Sequence, residues 1–123
     1  NGEEETLIEF NREKNNITVD FSNSSLDTSI KHYQRTMNFM TSEPNPIATD
    51  QVAPFSLKKN EKLEIQIFID KSIIEIFANG RQCITQRVYP TRSDSRGIEV
   101  FSSGGLSFIN NLRVWDMSPT NQW

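Results

Sequence analysis

Apolar and polar residues alternate with period two along most of this chain, the pattern of strands with one buried face. It is sharpest between Leu63 and Pro90, LEIQIFIDKSIIEIFANGRQCITQRVYP, which reads as three strands joined by two tight turns. Asn79-Gly80 in the second turn is a strong hairpin signal, because a type I′ turn needs positive φ at both central residues. Leu63, Ile65, Ile67 and Ile69 share one face of the first strand, and a turn at Asp70 to Ser72 puts Ile74, Ile76 and Ala78 on the same face. Closing on Asn79-Gly80 pairs Ala78 with Arg81 and adds Cys83 and Thr85 to that face, which is expected to be buried. The opposite face then carries Phe68, Ile73, Phe77, Ile84 and Val88 among polar residues, too apolar to face water alone, and is the candidate interface.

Elsewhere the signals are shorter. Thr6 to Phe10 and Asn16 to Phe21 read as two strands around a turn at Asn11 to Asn15. Ser22 to Gln34 reads as loop, with a weakly held helix around Leu26 to Tyr33 as the other option. A strand is expected at Gln34 to Met40, broken by Glu43-Pro44-Asn45-Pro46, and a weaker one at Val52 to Leu57, interrupted by Pro54. After the TRSDSRG loop, strands are expected at Ile98 to Phe101 and Leu106 to Met117, around a turn at Ser102 to Gly105. Residues 1–5 and 118–123 are expected to fray. The whole predicts one all-β domain over residues 1–123, an antiparallel two-sheet sandwich.

Composition narrows the function. The 123 residues carry 13 basic and 16 acidic side chains, a net charge of −3, with no basic stripe for nucleic acid. Mean hydropathy is −0.57, and no apolar run is long enough for a membrane-spanning helix. Cys83 stands alone, which excludes an internal disulfide; its place on an apolar face predicts a buried, inert thiol. His32 is the only histidine, read as an exposed loop residue, so neither a histidine metal site nor a catalytic triad is supported. Two sequons occur, Asn16-Ile17-Thr18 and Asn23-Ser24-Ser25.

Asp70 and Glu75 invite a reading as a glycosidase carboxylate pair. A turn role for Asp70 and an ion pair for Glu75 are the preferred reading, with Arg81 or Arg87 as partner. Phe101, Phe108 and Trp115 would suit a sugar-stacking platform, but core or interface positions are the stronger expectation.

DKSIIEIFANG followed by ITQRVYP resembles the C-terminal β-sandwich of glycoside hydrolase family 32, the invertases, inulinases and levanases. The matching positions are Asp70, Lys71, Ser72, Glu75, Phe77, Asn79 and Gly80, then Arg87, Val88, Tyr89 and Pro90, with Gln86 in place of the usual Ser or Thr. ITVDFSNSS is similar to a second family segment at Asp20, Ser22 and Ser24, though Phe21 replaces a basic residue and Ser25 a glycine. LRVWDM resembles the closing strand, with Trp115 in place. The resemblance spans about Thr6 to Met117.

It implies a jelly-roll, concanavalin-like sandwich that lacks its first strands, and an open edge of that kind tends to find a partner. It implies a parent β-fructosidase that hydrolyses sucrose or fructans without a cofactor, secreted or periplasmic rather than cytoplasmic. The implied partners are a catalytic five-bladed propeller of the same protein and a second copy in a homodimer, with weak carbohydrate contact besides. The family's three acidic catalytic motifs are absent, so no catalytic, cofactor or metal residue is assigned and the chain alone is expected not to be an enzyme. A free-standing fructan-binding module is the competing expectation.

Overall fold

The computed structural model describes residues 3–33 and 46–118, and no helix occurs among them. Eight strands follow in order: β1 (Leu7–Asn11), β2 (Asn16–Asp20), β3 (His32–Tyr33), β4 (Ile47–Ala48), β5 (Asp50–Pro54), β6 (Ile65–Asp70), β7 (Ile73–Ala78) and β8 (Gln82–Arg87). They form antiparallel sheets in the orders β1-β2-β5 and β6-β7-β8, with β3-β4 as a two-stranded pair. The fold is an all-β sandwich.

Each sheet buries one face because its strands alternate. In β2, Ile17 and Val19 point inward; their neighbours across the ladder are Phe10 and Ala53 for Ile17, and Ile8 for Val19. In β7, Ile74, Ile76 and Ala78 point inward. These residues join Phe21, Phe55, Ile84 and Val88 in a single buried cluster, so the two sheets share one core. Burying each large aliphatic side chain contributes about 1.5–3 kcal/mol before entropy is counted. The sheets also meet where β5 lies beside β8, and Gln82 Nε2 donates to the Pro54 carbonyl at 2.8 Å.

Turn chemistry sets the register. Asn11 ends β1 and accepts the N–H groups of Glu13 and Lys14 through its Oδ1, while Asn15 takes φ 52° before β2. Lys71 takes φ 51°, which makes the β6–β7 turn two residues long and pairs Asp70 with Ile73. The β7–β8 turn differs from the expected one. Asn79 and Gly80 have φ 47° and 62°, as an Asn-Gly turn requires, and Arg81 donates its N–H to Ala78 at 3.0 Å. Yet Ala78 pairs with Gln82, leaving Arg81 as one extra residue on the β8 side.

One extra residue reverses the faces of a strand. Ile84 and Val88, expected on the interface face, are core residues at 2% and 5% exposure. Cys83 and Thr85, expected in the core, are exposed on the outer face, and Cys83 is a free, accessible thiol.

Three further expectations are corrected. The aliphatic face of β6 is only partly covered, with Ile67 45% and Ile69 57% exposed. His32 lies in β3 rather than in a loop and is half-buried. Residues 98–117 form no strand, and all are exposed, Phe101, Phe108 and Trp115 included. The strand expected at Gln34 to Met40 lies outside the described residues.

Candidate functional site

The family-like motif runs along the β6–β7–β8 meander. Asn79 is the hub. Its N–H donates to the Glu64 carbonyl at 2.9 Å, and its Oδ1 accepts the Glu64 N–H at 2.9 Å. Its Nδ2 donates to Glu61 Oε1 at 3.0 Å and to the Lys62 carbonyl at 2.9 Å. The turn is thereby tied to the segment that leads into β6. Ser72 contributes its carbonyl, which accepts the Val88 N–H at 2.9 Å and extends the β7–β8 ladder.

Arg81, the extra residue, reaches back across the same segment. Its guanidinium donates to both oxygens of Glu61 and to the Ser56 carbonyl at 2.8 Å, with its carbon 4.9 Å from the centre of the Phe55 ring. The Arg81 hydrogen bonds hold the Glu61 carboxyl down at about 2, against the ordinary 4.5. Bidentate geometry gives such a pair more weight than an ordinary surface bridge.

A second cluster had no sequence signal. Glu4, in the stretch expected to fray, is buried and accepts from the Leu26 N–H, the Thr91 N–H and hydroxyl, the Arg92 N–H and the Ser95 hydroxyl, at 2.6–3.1 Å. Burial alone would push its carboxyl up, but the bonds from Ser95, Thr91 and Leu26 outweigh that and hold it far below the usual carboxylate range. Arg92 bridges Glu3 and Asp94 beside it. Partners so distant in sequence leave no local pattern to read.

Asp70 and Glu75 are not directly paired across the ladder. Both belong to the outer face, but Asp70 lies opposite Ile73 at the end of β6, whereas Glu75 sits mid-sheet between Phe68 and Thr85. Neither takes part in an ion pair among the described residues, where Arg81 is committed to Glu61 and Arg87 lies opposite Ile73. An open depression of about 270 Å³ is lined by Glu64, Gln66, Phe77, Asn79 and Gly80, with neither carboxylate in it. No cluster of His, Cys, Asp and Glu among the described residues has metal-binding geometry.

On the outer face the Phe68 and Phe77 rings meet edge to face at 5.8 Å. Phe68 and Ile73 flank Glu75 there, so three of the five expected interface residues stay together once Ile84 and Val88 are removed to the core. At the other end Tyr89 stacks on His32 at 5.8 Å, and His32 meets the edge of Phe21 at 4.8 Å. The second family-like segment forms the adjoining turn, where Asp20 Oδ1 accepts the Ser22 N–H and buried Ser24 donates to the Phe21 carbonyl, each at 2.9 Å. Arg87 and Pro90 are exposed.

Both motif segments thus take part in turns, and a match to the family model "Glycosyl hydrolases family 32 C terminal" covers residues 1–116. The chain belongs to that family. It is similar to an acid β-fructofuranosidase of Vicia faba, 40% identical over 70 residues, which is 49% of this chain and 10% of the relative. The acid β-fructofuranosidase 2, vacuolar, of a Rosa hybrid cultivar is 38% identical over 81 residues, 58% of this chain and 13% of the relative. The levanase of Bacillus subtilis (strain 168) is 36% identical over 67 residues, 49% of this chain and 10% of the relative. The matched part of the chain thus spans about a tenth of each relative's length. No solved structure gives a significant match.

Proposed function

We propose that this chain is a non-catalytic scaffold domain of a β-fructosidase-type glycoside hydrolase whose parent cleaves sucrose or fructans. The family match over residues 1–116 carries the reading. The geometry supports it, since the motif residues spend their polar groups on turns and on the segment entering β6 rather than on a cleft. The scaffold packs on the catalytic five-bladed propeller of the same protein through the outer face of β6 and β7. Phe68, Ile73 and Phe77 form the apolar centre of that face, with Gln66 and Glu75 beside them. An aromatic centre within a polar surround is the make-up of an interface rather than of ordinary surface. Homodimerisation and a location outside the cytoplasm belong to the same proposal, the latter supported by a relative whose name includes "vacuolar".

The purified chain is expected to release no fructose from sucrose, inulin or levan, and release above a blank would overturn the non-catalytic assignment. Co-expression with the propeller tests the scaffold role. The two should co-purify, and Phe68→Asp, a change at a half-exposed position, should abolish the association while leaving the β-sheet circular dichroism unchanged.

A further inference from the structure

In an Asn-Gly pair the asparagine side chain is open to attack by the backbone nitrogen that follows it, because glycine puts no side chain in the way. The fold holds Asn79-Gly80 where that reaction is blocked. Closing the five-membered ring requires Asn79 Cβ and the Gly80 nitrogen to lie on the same side of the Asn79 Cα–C bond. At φ 47°, in the left-handed region, they lie nearly opposite each other. The backbone is kept there by the Gly80 φ of 62° and by the bond from the Arg81 N–H to the Ala78 carbonyl at 3.0 Å. The side-chain amide is committed as well. Its Oδ1 accepts from the Glu64 N–H, and Nδ2 spends both hydrogens on Glu61 Oε1 and the Lys62 carbonyl. Arg81 in turn grips both oxygens of Glu61.

From this geometry we propose that Asn79 is a deamidation site that the fold keeps silent and that opening of the β7–β8 turn releases. Once the turn opens, Asn79 rotates about its Cα–C bond, and the Gly80 nitrogen, losing its proton, bonds to Cγ. The Cγ–Nδ2 bond breaks and Nδ2 leaves as ammonia. The cyclic imide then takes up one water at either carbonyl and opens to aspartate or isoaspartate. Nothing is oxidised or reduced, and water is the only co-reactant. Neither product suits the turn. Aspartate has no Nδ2 hydrogens, so it loses the bonds to Glu61 and Lys62 and sets a second carboxylate against the ionised Glu61. Isoaspartate adds a methylene to the main chain, against the register that buries Ile84 and Val88. A passing opening of the turn is thereby converted into a change that refolding cannot undo. The reading stands apart from whatever the parent enzyme cleaves.

The test holds the 123-residue chain at mildly alkaline pH, folded in buffer and unfolded in guanidinium chloride. Conversion is followed in the tryptic peptide Ser72–Arg81 by mass and by labelling with an isoaspartyl methyltransferase. Asn1-Gly2, the other Asn-Gly pair of the sequence, falls in a separate peptide. Conversion at Asn79 should be at least about tenfold slower in the folded chain, since three side-chain hydrogen bonds and the turn must give way first. At intermediate denaturant the rate should climb through the unfolding transition, a reading that needs no variant. Glu61→Ala, which removes an acceptor of Nδ2 and releases Arg81, should convert severalfold faster than the parent chain while circular dichroism shows the sheets intact. Converted chain, separated by charge and returned to buffer, should unfold at lower denaturant than unconverted chain. Equal rates in the folded and unfolded chain overturn the inference. So does a rate indifferent to the unfolding transition, a Glu61→Ala chain no faster than the parent, or a converted chain as stable as the original.

Discussion

Asn79 and Glu64 exchange two hydrogen bonds of 2.9 Å, one from each backbone N–H, received by the Glu64 carbonyl and by Asn79 Oδ1. Asn79 therefore meets two demands at once. It tolerates φ 47°, which most side chains resist, and it anchors the chain entering β6 to the turn that leaves β7. Asn79→Gly keeps the conformation and removes the side-chain bonds, so it should cost about 1–3 kcal/mol. Asn79→Ala removes the bonds and adds backbone strain, so it should cost about 1–2 kcal/mol more. Urea denaturation of the two variants checks the order, and equal losses would assign all of the effect to the side-chain bonds.

The same pair of strands separates core from overhang. Ile76 and Ile67 are directly paired, yet Ile76 is 1% exposed and Ile67 45%. Ile76→Ala should lower stability by about 2–5 kcal/mol, because it opens a cavity in a packed interior. Ile69→Ala, beyond the covered part of the face, should cost under about 1 kcal/mol. Comparable losses at both positions would show that β6 is covered in solution.

Cys83 reports the face reversal in β8. Because Ala78 pairs with Gln82, the thiol lies on the outer face and should react with a maleimide in the native state at about the rate of an unstructured peptide. Cys83→Ser should leave stability within about 0.5 kcal/mol. A thiol that reacts only after urea is added would restore the two-residue register.

That register marks the boundary of what the sequence could convey. The positions of β1, β2, β6, β7 and β8 and the inward residues of β2 and β7 follow from period-two patterning, and the Asn-Gly turn was visible by residue type. The extra residue was not, because an Asn-Gly pair specifies the turn conformation and leaves open whether the next residue joins the ladder. Glu4 and Glu61 were invisible for a different reason. Their partners lie 22 to 91 and 3 to 20 residues away, and only the folded chain brings them together. At residues 98–117 the alternation is genuine, but a strand also needs a neighbour, which no sequence pattern supplies. Among the described residues no strand pairs with that stretch, and its side chains are exposed.

Acid stability follows from the two anchored carboxylates. An unfolded glutamate titrates near 4.5, whereas Arg81 and its companions hold Glu61 at about 2 in the fold and the bonds to Glu4 hold it lower still. Both folded values lie below the unfolded one, so between them the unfolded chain binds more protons and stability falls with pH. The contribution is complete above about pH 5 and is lost progressively as pH drops through 4.5 towards 2. These groups predict a flat urea midpoint from pH 6 to 8 and a steep decline below 5. Glu61→Gln should be less stable at pH 7 and should approach the parent protein near pH 2, whereas Glu4→Gln, also less stable at pH 7, should converge only at lower pH. A decline in the parent that both variants reproduce in full would assign the acid sensitivity to other carboxylates and remove these two as its cause.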